Sequence, residues 1–436
     1  GDAGDAGDAG ARSTEEVAAT AGGPGPTEPV APIARAFAHP DENRVYRESA
    51  ETAWRYVEAQ YQPETGLVNS VIDYPFGTVW DLASTIAAYY AAHELQLLDT
   101  EEYHHRTALA LETIGDLPLF GGAAFNKNYE VRRAVPAGRN DREMAEGYGW
   151  SAIDIGRLLV WLRIISLQFP QHTAAAESIV DRLDLQALVQ DGYLWGEDLD
   201  SAGVRRRYQE GRLGYEQYAA AGFALWGWTP EHALDMSRHT ELMDIHGVGV
   251  PTDTRPGGHL TSEPFVLLGL EVGWWSPQWR DSALRVLAVQ RARYERTGQI
   301  TMVTEDAIPL PPHYFYYYTV RYEGENFAVA ALGEPAALDG PRWISAKAAH
   351  GWHALSPSEY TWRAVEAVLP AGDPEVGWGS GVYESGDEPT AGQNINTAAV
   401  ILASALYQRE RRPLLSAARG RAPARAIDES TSPPPS

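Results

Sequence analysis

The chain has 436 residues, 44% of them hydrophobic, enough for one large domain or two ordinary ones. Its net charge of −24 and pI near 4.9 disfavour nucleic acid, anionic lipid and strongly anionic glycans as partners, because like charges repel. It has no cysteine, which excludes disulfides, thiolate nucleophiles and Cys-ligated metal centres.

Residues 1–38 open with GDAGDAGDAGA and continue with GGPGPTEPVAP. Such stretches bury too little apolar area to offset the entropy of ordering, so a disordered acidic tether is expected there. Apolar periodicity and start signals then predict helices over 48–61, 80–98, 100–117, 149–167, 213–228, 261–273, 277–297, 357–368 and 394–409. Residues 413–436, ending TSPPPS, are expected to form a second disordered tail, leaving one domain over 39–412. The fold class expected is all-α, with roughly ten to twelve helices. Period-two alternation of the kind a sheet needs is not found.

A recurring unit adds to this. Glu64-Thr-Gly-Leu-Val, Asp191-Gly-Tyr-Leu-Trp, Thr297-Gly-Gln-Ile-Thr and Val376-Gly-Trp-Gly-Ser each follow a helix with a Gly turn and an extended piece. Each is followed by an acid: Asp73, Glu197, Glu305 with Asp306, and Glu384. Repetition of that unit implies helical hairpins whose equivalent ends face one cleft, with short extended loops there.

The densest chemistry is in Glu210-Gly-Arg-Leu-Gly-Tyr-Glu-Gln-Tyr, where Glu210 and Glu216 lie among Tyr208, Tyr215 and Tyr218. Acids framed by rings suit the cleavage of glycosidic bonds. Sugar C–H faces stack on aromatics, one carboxyl protonates the leaving oxygen, and a second group delivers water or attacks. Glu216 reads as the general acid, with a helix-start acid as the alternative. Glu210 is a second catalytic candidate, or else a partner of Arg207 or Arg212. Asp154, between two Ile residues near Trp150, reads as a base or sugar ligand, or else as an i+3 partner of Arg157. Asp81 with Trp80 reads as a sugar-binding pair or as a first-turn helix acid. Glu263 in Thr261-Ser-Glu-Pro reads as a helix start. The aromatic run His313 to Tyr318, with Tyr314 and Tyr316, is a candidate groove lining. Glu323, Trp378 and Glu384 complete the candidate substrate-binding set, with Trp150, Tyr215 and Tyr218.

The histidines are scattered and no metal-ligand spacing is present, so no metal and no cofactor are expected. No Gly-x-Ser-x-Gly elbow, Walker loop or dinucleotide fingerprint occurs. No apolar run spans a membrane.

Trp80-Asp-Leu-Ala-Ser, Gly149-Trp-Ser-Ala-Ile-Asp-Ile-Gly-Arg, the Glu210 segment, and Gly381-Val-Tyr-Glu with Asn394-Ile-Asn-Thr resemble a bacterial family described only as a domain of unknown function and associated with polysaccharide synthases. That family resembles the glucoamylase-like group, endo-β-1,2-glucanases among it. The resemblance covers roughly 45–410 and implies an (α/α)6 barrel and cleavage of a neutral β-glucan, with Glu216 as acid and Asp154 at the sugar site. One departure stands out: those enzymes carry Asn-Glu after the Gly-Tyr pair, whereas Glu216 follows Tyr215 directly. The expectation is therefore a secreted or periplasmic monomeric endo-β-1,2-glucanase working by inversion. The rivals are a non-catalytic glycan binder of a polysaccharide synthesis or export system, and a polysaccharide lyase.

Overall fold

The computed structural model describes residues 29–421. Among the described residues, fourteen helices run in chain order. They are α1 (Glu42–Ala59), α2 (Val79–Glu94), α3 (Thr100–Asp116), α4 (Ala152–Gln168), α5 (Thr173–Asp181), α6 (Leu185–Leu188) and α7 (Tyr215–Ala224). The series continues with α8 (Glu231–Leu234), α9 (Glu263–Leu267), α10 (Pro277–Thr297), α11 (Ala346–Leu355), α12 (Glu359–Val368), α13 (Ile395–Glu410) and α14 (Leu414–Arg421).

Their starts obey local chemistry. Thr78 and Asp81 form a capping box at α2, each side chain accepting from the other's backbone N–H. Ser151, Ser276, Ser345 and Asn394 cap α4, α10, α11 and α13 in the same sense, through the N–H three residues on. Helix α10 begins at Pro277 and stops at Gly298, which takes the left-handed conformation that releases the chain.

Six of these helices form an inner ring. Helix α2 packs on α4, α4 on α7, α7 on α9, α9 on α11, α11 on α13, and α13 returns to α2. Helices α1, α3, α5, α10 and α12 lie outside it. The sequences explain the division. In α2 every residue from Val79 to Ala92 is buried, so it carries no polar stripe. In α1 one face, including Val45, Tyr46, Ala53, Trp54 and Val57, is buried and the other is charged. Two glycines allow the tightest crossing. A Cβ on Gly156 of α4 would come within 2.6 Å of the Ala219 Cα of α7, and one on Gly222 would meet the Gly156 carbonyl.

The architecture is thus of the α/α-barrel type, but it is not purely α. Strands Tyr193–Leu199 and Arg205–Glu210 form a long hairpin, as do Thr240–Ile245 and Val248–Asp253. Strands Glu305–Ala307, Phe315–Tyr318 and Val329–Ala330 make a third sheet. The first hairpin's strand Arg205–Glu210 is polar and largely exposed, and the third sheet buries Glu305 and Asp306, so the apolar alternation that marks a half-buried sheet is missing.

Other differences also have plain causes. Helix α11 lies where the sequence pattern predicts none, because its Lys347, His350 and His353 interrupt the apolar periodicity, yet all three are buried against polar partners. The helix expected over 261–273 changes to π-type hydrogen bonding at Leu268–Val272. Residues 29–38, expected to be disordered, lie along the barrel. The Val30 N–H donates to the Trp274 carbonyl at 2.7 Å, and Ile33 and Phe37 pack on the core. The expected tail from 413 contains α14, which packs on α4 and buries Leu414 and Leu415. The remainder of both expected tails, 1–28 and 422–436, lies outside the described residues. No helix among the described residues is long and apolar enough to cross a membrane.

Candidate active site

The inner helices bring their first turns to one end of the barrel. There α2 places Asp81, α4 Asp154, α7 Glu216, α9 Glu263, α11 Lys347 and α13 Asn396. The strand Glu305–Ala307 adds Glu305 and Asp306, both buried.

Most of these groups have a charged or hydrogen-bonding partner. Lys347 forms an ion pair with Glu263 and lies 3.9 Å from Asp306. Asp306 also accepts from Asn394 Nδ2 at 2.7 Å and Thr397 Oγ1 at 2.9 Å. Below them Arg157, with no exposure at all, faces Glu271 at 3.5 Å and Glu263 at 4.0 Å and stacks on Trp80. Arg157 therefore does not pair with Asp154.

Asp154 and Glu305 are different. No cation lies within ion-pair distance of either among the described residues; Lys127 and Lys347 act on them only at longer range. Burial, with the charges of Glu210 and Asp81, pushes Asp154 up to about 7. Burial, with the charge of Glu263, pushes Glu305 up to about 8 against the pull of Lys347. The hydroxyls of Tyr215 and Tyr317 act on the Glu305 carboxyl as well. A buried end of the barrel with more carboxylates than cations leaves its least compensated acids protonated near neutral pH.

The other sequence candidates take up the following positions. Glu216 is buried and bidentate to Arg255, with Nη2 at 2.6 Å and Nη1 at 3.2 Å, and it accepts from Gln209 Nε2 at 3.0 Å. Burial pushes it up to about 7, and the guanidinium opposes that rise. Gln217 stands two residues after Tyr215, where an Asn-Glu pair would put its glutamate. Its amide bonds the Gly214 N–H and the Ala233 carbonyl, so it is structural. Glu210 pairs with neither Arg207 nor Arg212. It accepts from Ser151 Oγ at 2.7 Å and Ala152 N–H at 2.6 Å, fixing the start of α4 beside Asp154. Asp81 is held in its capping box and accepts from Asn396 Nδ2 at 2.8 Å.

Several expected sugar platforms are core residues. Trp80 is clamped between Arg157 and the rings of Tyr215 and Tyr218. Trp150 is buried and donates to the Trp195 carbonyl at 3.0 Å. Tyr218 donates to Glu271 inside the barrel. Trp378 is buried against α1 and donates to the Ser49 carbonyl, away from the acids. Glu384 is bidentate to Arg293, at 2.8 and 2.9 Å, and accepts from Tyr318 Oη. In the aromatic run, Tyr316 turns inward to the Leu310 carbonyl and Tyr314 is exposed. The residue of that run that reaches the acids is Tyr317, which the sequence pattern does not single out. Strand alternation was the available signal: Tyr317 pairs with Glu305 across the hairpin.

Two cavities are lined by rim segments rather than by Asp154 or Glu305. One of about 320 Å³ is lined by Arg212, Asp253, Arg255, His259 and Glu323. The other, about 800 Å³, is lined by Arg139, Arg142, Met144, Tyr148 and Leu199. Among the described residues no cluster of His, Asp and Glu suited to a metal ion is present.

Residues 48–411 match the family described as "Protein of unknown function (DUF3131)". The chain belongs to that family. No curated protein matches its sequence. Among solved structures it resembles a candidate glucoamylase from Bacteroides caccae, at 13% identity and TM-score 0.64, over 88% of this chain and 96% of that one. It resembles the endo-β-1,2-glucanase from Chitinophaga pinensis, at 13% identity and TM-score 0.59, over 88% and 96%. The endo-β-1,2-glucanase from Talaromyces funiculosus follows, at 12% identity and TM-score 0.56, over 89% and 91%. At such identities the likeness establishes a shared fold alone.

Proposed function

We propose that this chain is a glycoside hydrolase that cuts within a neutral β-glucan, β-1,2-linked as in the structurally similar glucanases. The observation that carries the reading is the pair Asp154 and Glu305: a half-buried and a buried carboxyl at the cleft end of the barrel, each without an ion-pair partner among the described residues, raised to about 7 and about 8. Near pH 7.5 the pair holds roughly one proton between its members.

In this reading Glu305 gives its proton to the glycosidic oxygen as the C1–O bond breaks. Asp154 takes a proton from the water that attacks C1, a single displacement with inversion. The proton count balances, and solvent exchange restores both groups. Glu210, by accepting from Ser151 and the Ala152 N–H at the start of α4, fixes Asp154. Glu216 then serves the sugar site through Arg255. The excess of carboxylates disfavours a uronate polymer, and with it a lyase.

The test is incubation with a panel of neutral glucans, linear β-1,2-glucan included, followed by chromatography of the products. Oligosaccharides from one linkage are expected, and their initial anomer read by NMR reports inversion. Binding without products from any glucan would instead favour a non-catalytic glycan binder.

A further inference from the structure

The smaller cavity has a construction that the acid pair does not explain. An aromatic row runs into it. Phe315 and Tyr317 lie edge to face at 5.4 Å, the His259 ring stacks on Tyr317 at 4.1 Å, and Tyr322 stacks on His259 at 4.4 Å. The row starts where Tyr317 pairs with Glu305 and ends in the cavity, which His259 and Tyr322 line. Between its two neighbours the His259 ring is held within 22° and 8° of parallel, so its edge is fixed in direction. Its Nε2 has no hydrogen-bond partner among the described residues. Burial pushes the imidazole down to about 4, so at working pH the ring is neutral and has one donor and one acceptor nitrogen.

The charged lining is balanced. Arg212, Arg255 and Arg321 face Glu241, Asp253 and Glu323. Such a wall offers an ionic ligand no net attraction, but its guanidinium groups donate and its carboxylates accept, as the hydroxyls of a neutral sugar require. At about 320 Å³ the cavity is at the small end of ligand pockets. Arg255 joins its wall to Glu216, in the first turn of α7 at the same end of the barrel as the acid pair.

The geometry points to a sugar subsite here. The cavity binds one end of a neutral glycan whose reacting bond lies at Asp154 and Glu305, and His259 is its specificity-determining residue. The inference rests on the glycan reading above, but it can fail separately from it.

The experiment is calorimetric titration of neutral β-1,2-gluco-oligosaccharides of graded length into the Glu305→Gln variant, with and without His259→Ala or His259→Phe. His259→Phe keeps a ring between Tyr317 and Tyr322, and so preserves the fold if His259→Ala does not. Both are expected to weaken the longer oligosaccharides roughly tenfold, as the loss of a directed hydrogen bond would. The shortest oligosaccharide, seated at the acids alone, is expected to bind unchanged. Length-independent affinity in the His259 variants overturns the subsite if the parent shows the same, as does the absence of binding by any of these oligosaccharides. If binding shows the expected length dependence while the unmodified chain releases no product, the subsite stands and the hydrolase reading falls.

Discussion

At the scale of single residues, the decisive contrast is between carboxyls that have a cation within ion-pair distance and carboxyls that do not. Glu216, Glu263, Asp306 and Glu384 are each tied to an Arg or Lys. Asp154 and Glu305 are not, and burial raises both. Two consequences follow from the sign of that rise. A carboxyl raised on folding costs nothing at low pH, where it is protonated in both states. Its cost grows as pH climbs from the ordinary carboxylate range toward its raised value, by about 1.4 kcal/mol for each pH unit crossed. Glu305→Gln is therefore expected to raise the melting temperature at pH 9 and leave it nearly unchanged at pH 4, while cutting turnover by about 10²–10⁴-fold. A variant both inactive and less stable at pH 9 would contradict the assignment. The rate should also rise as Asp154 ionises near 7 and fall as Glu305 ionises near 8, a narrow bell. Glu305→Gln should remove the alkaline limb from the residual activity, whereas Glu216→Gln should keep it. An optimum near pH 5, or loss of that limb on changing Glu216, would return the proton to another residue.

At the scale of elements, the site depends on how closely α4 and α7 cross. Asp154 sits in the first turn of α4 and Glu216 in that of α7, and Gly156 and Gly222 let the two backbones touch. Gly222→Ala would drive a methyl group into the Gly156 carbonyl. The expected loss is about 1–3 kcal/mol or more, read by denaturant unfolding, with lower activity because the first turns separate. The sequence showed these helices well: α10 begins and ends where its Pro277 and Gly298 signals place it, and α3 and α13 differ only by a residue or so at their ends. It did not show the rim hairpins. Arg205-Arg-Arg-Tyr-Gln-Glu has no apolar face, because its strand is paired on one edge and largely exposed. Hydrogen bonding, not burial, makes it a strand, and periodicity reports only burial.

At the scale of the whole molecule, the closed ring needs its two chain ends held. Helix α14 packs on α4 and buries two leucines, each contributing about 1.5–3 kcal/mol. Ending the chain at residue 412 is expected to lower the melting temperature by about 5 °C or more, measured by calorimetry; an unchanged value would show that α14 is dispensable. The segment 29–38 is held by Val30, Ile33 and Phe37, and Arg35 forms an ion pair with Glu42 at the start of α1.

The sequence by itself determined many of the helices, the Asn394 cap, the acidic balance and the placing of Asp154 near a helix start, because these depend on neighbours a few residues apart. Only the tertiary structure decided which acids lack a cationic partner. Arg157, three residues from Asp154, is buried under Trp80 instead of pairing with it. Lys347, more than forty residues along the chain from Glu305, neutralises Glu263 and leaves Glu305 unpaired. Pairing across a barrel is set by ring closure, and a linear pattern holds no record of which helix faces which.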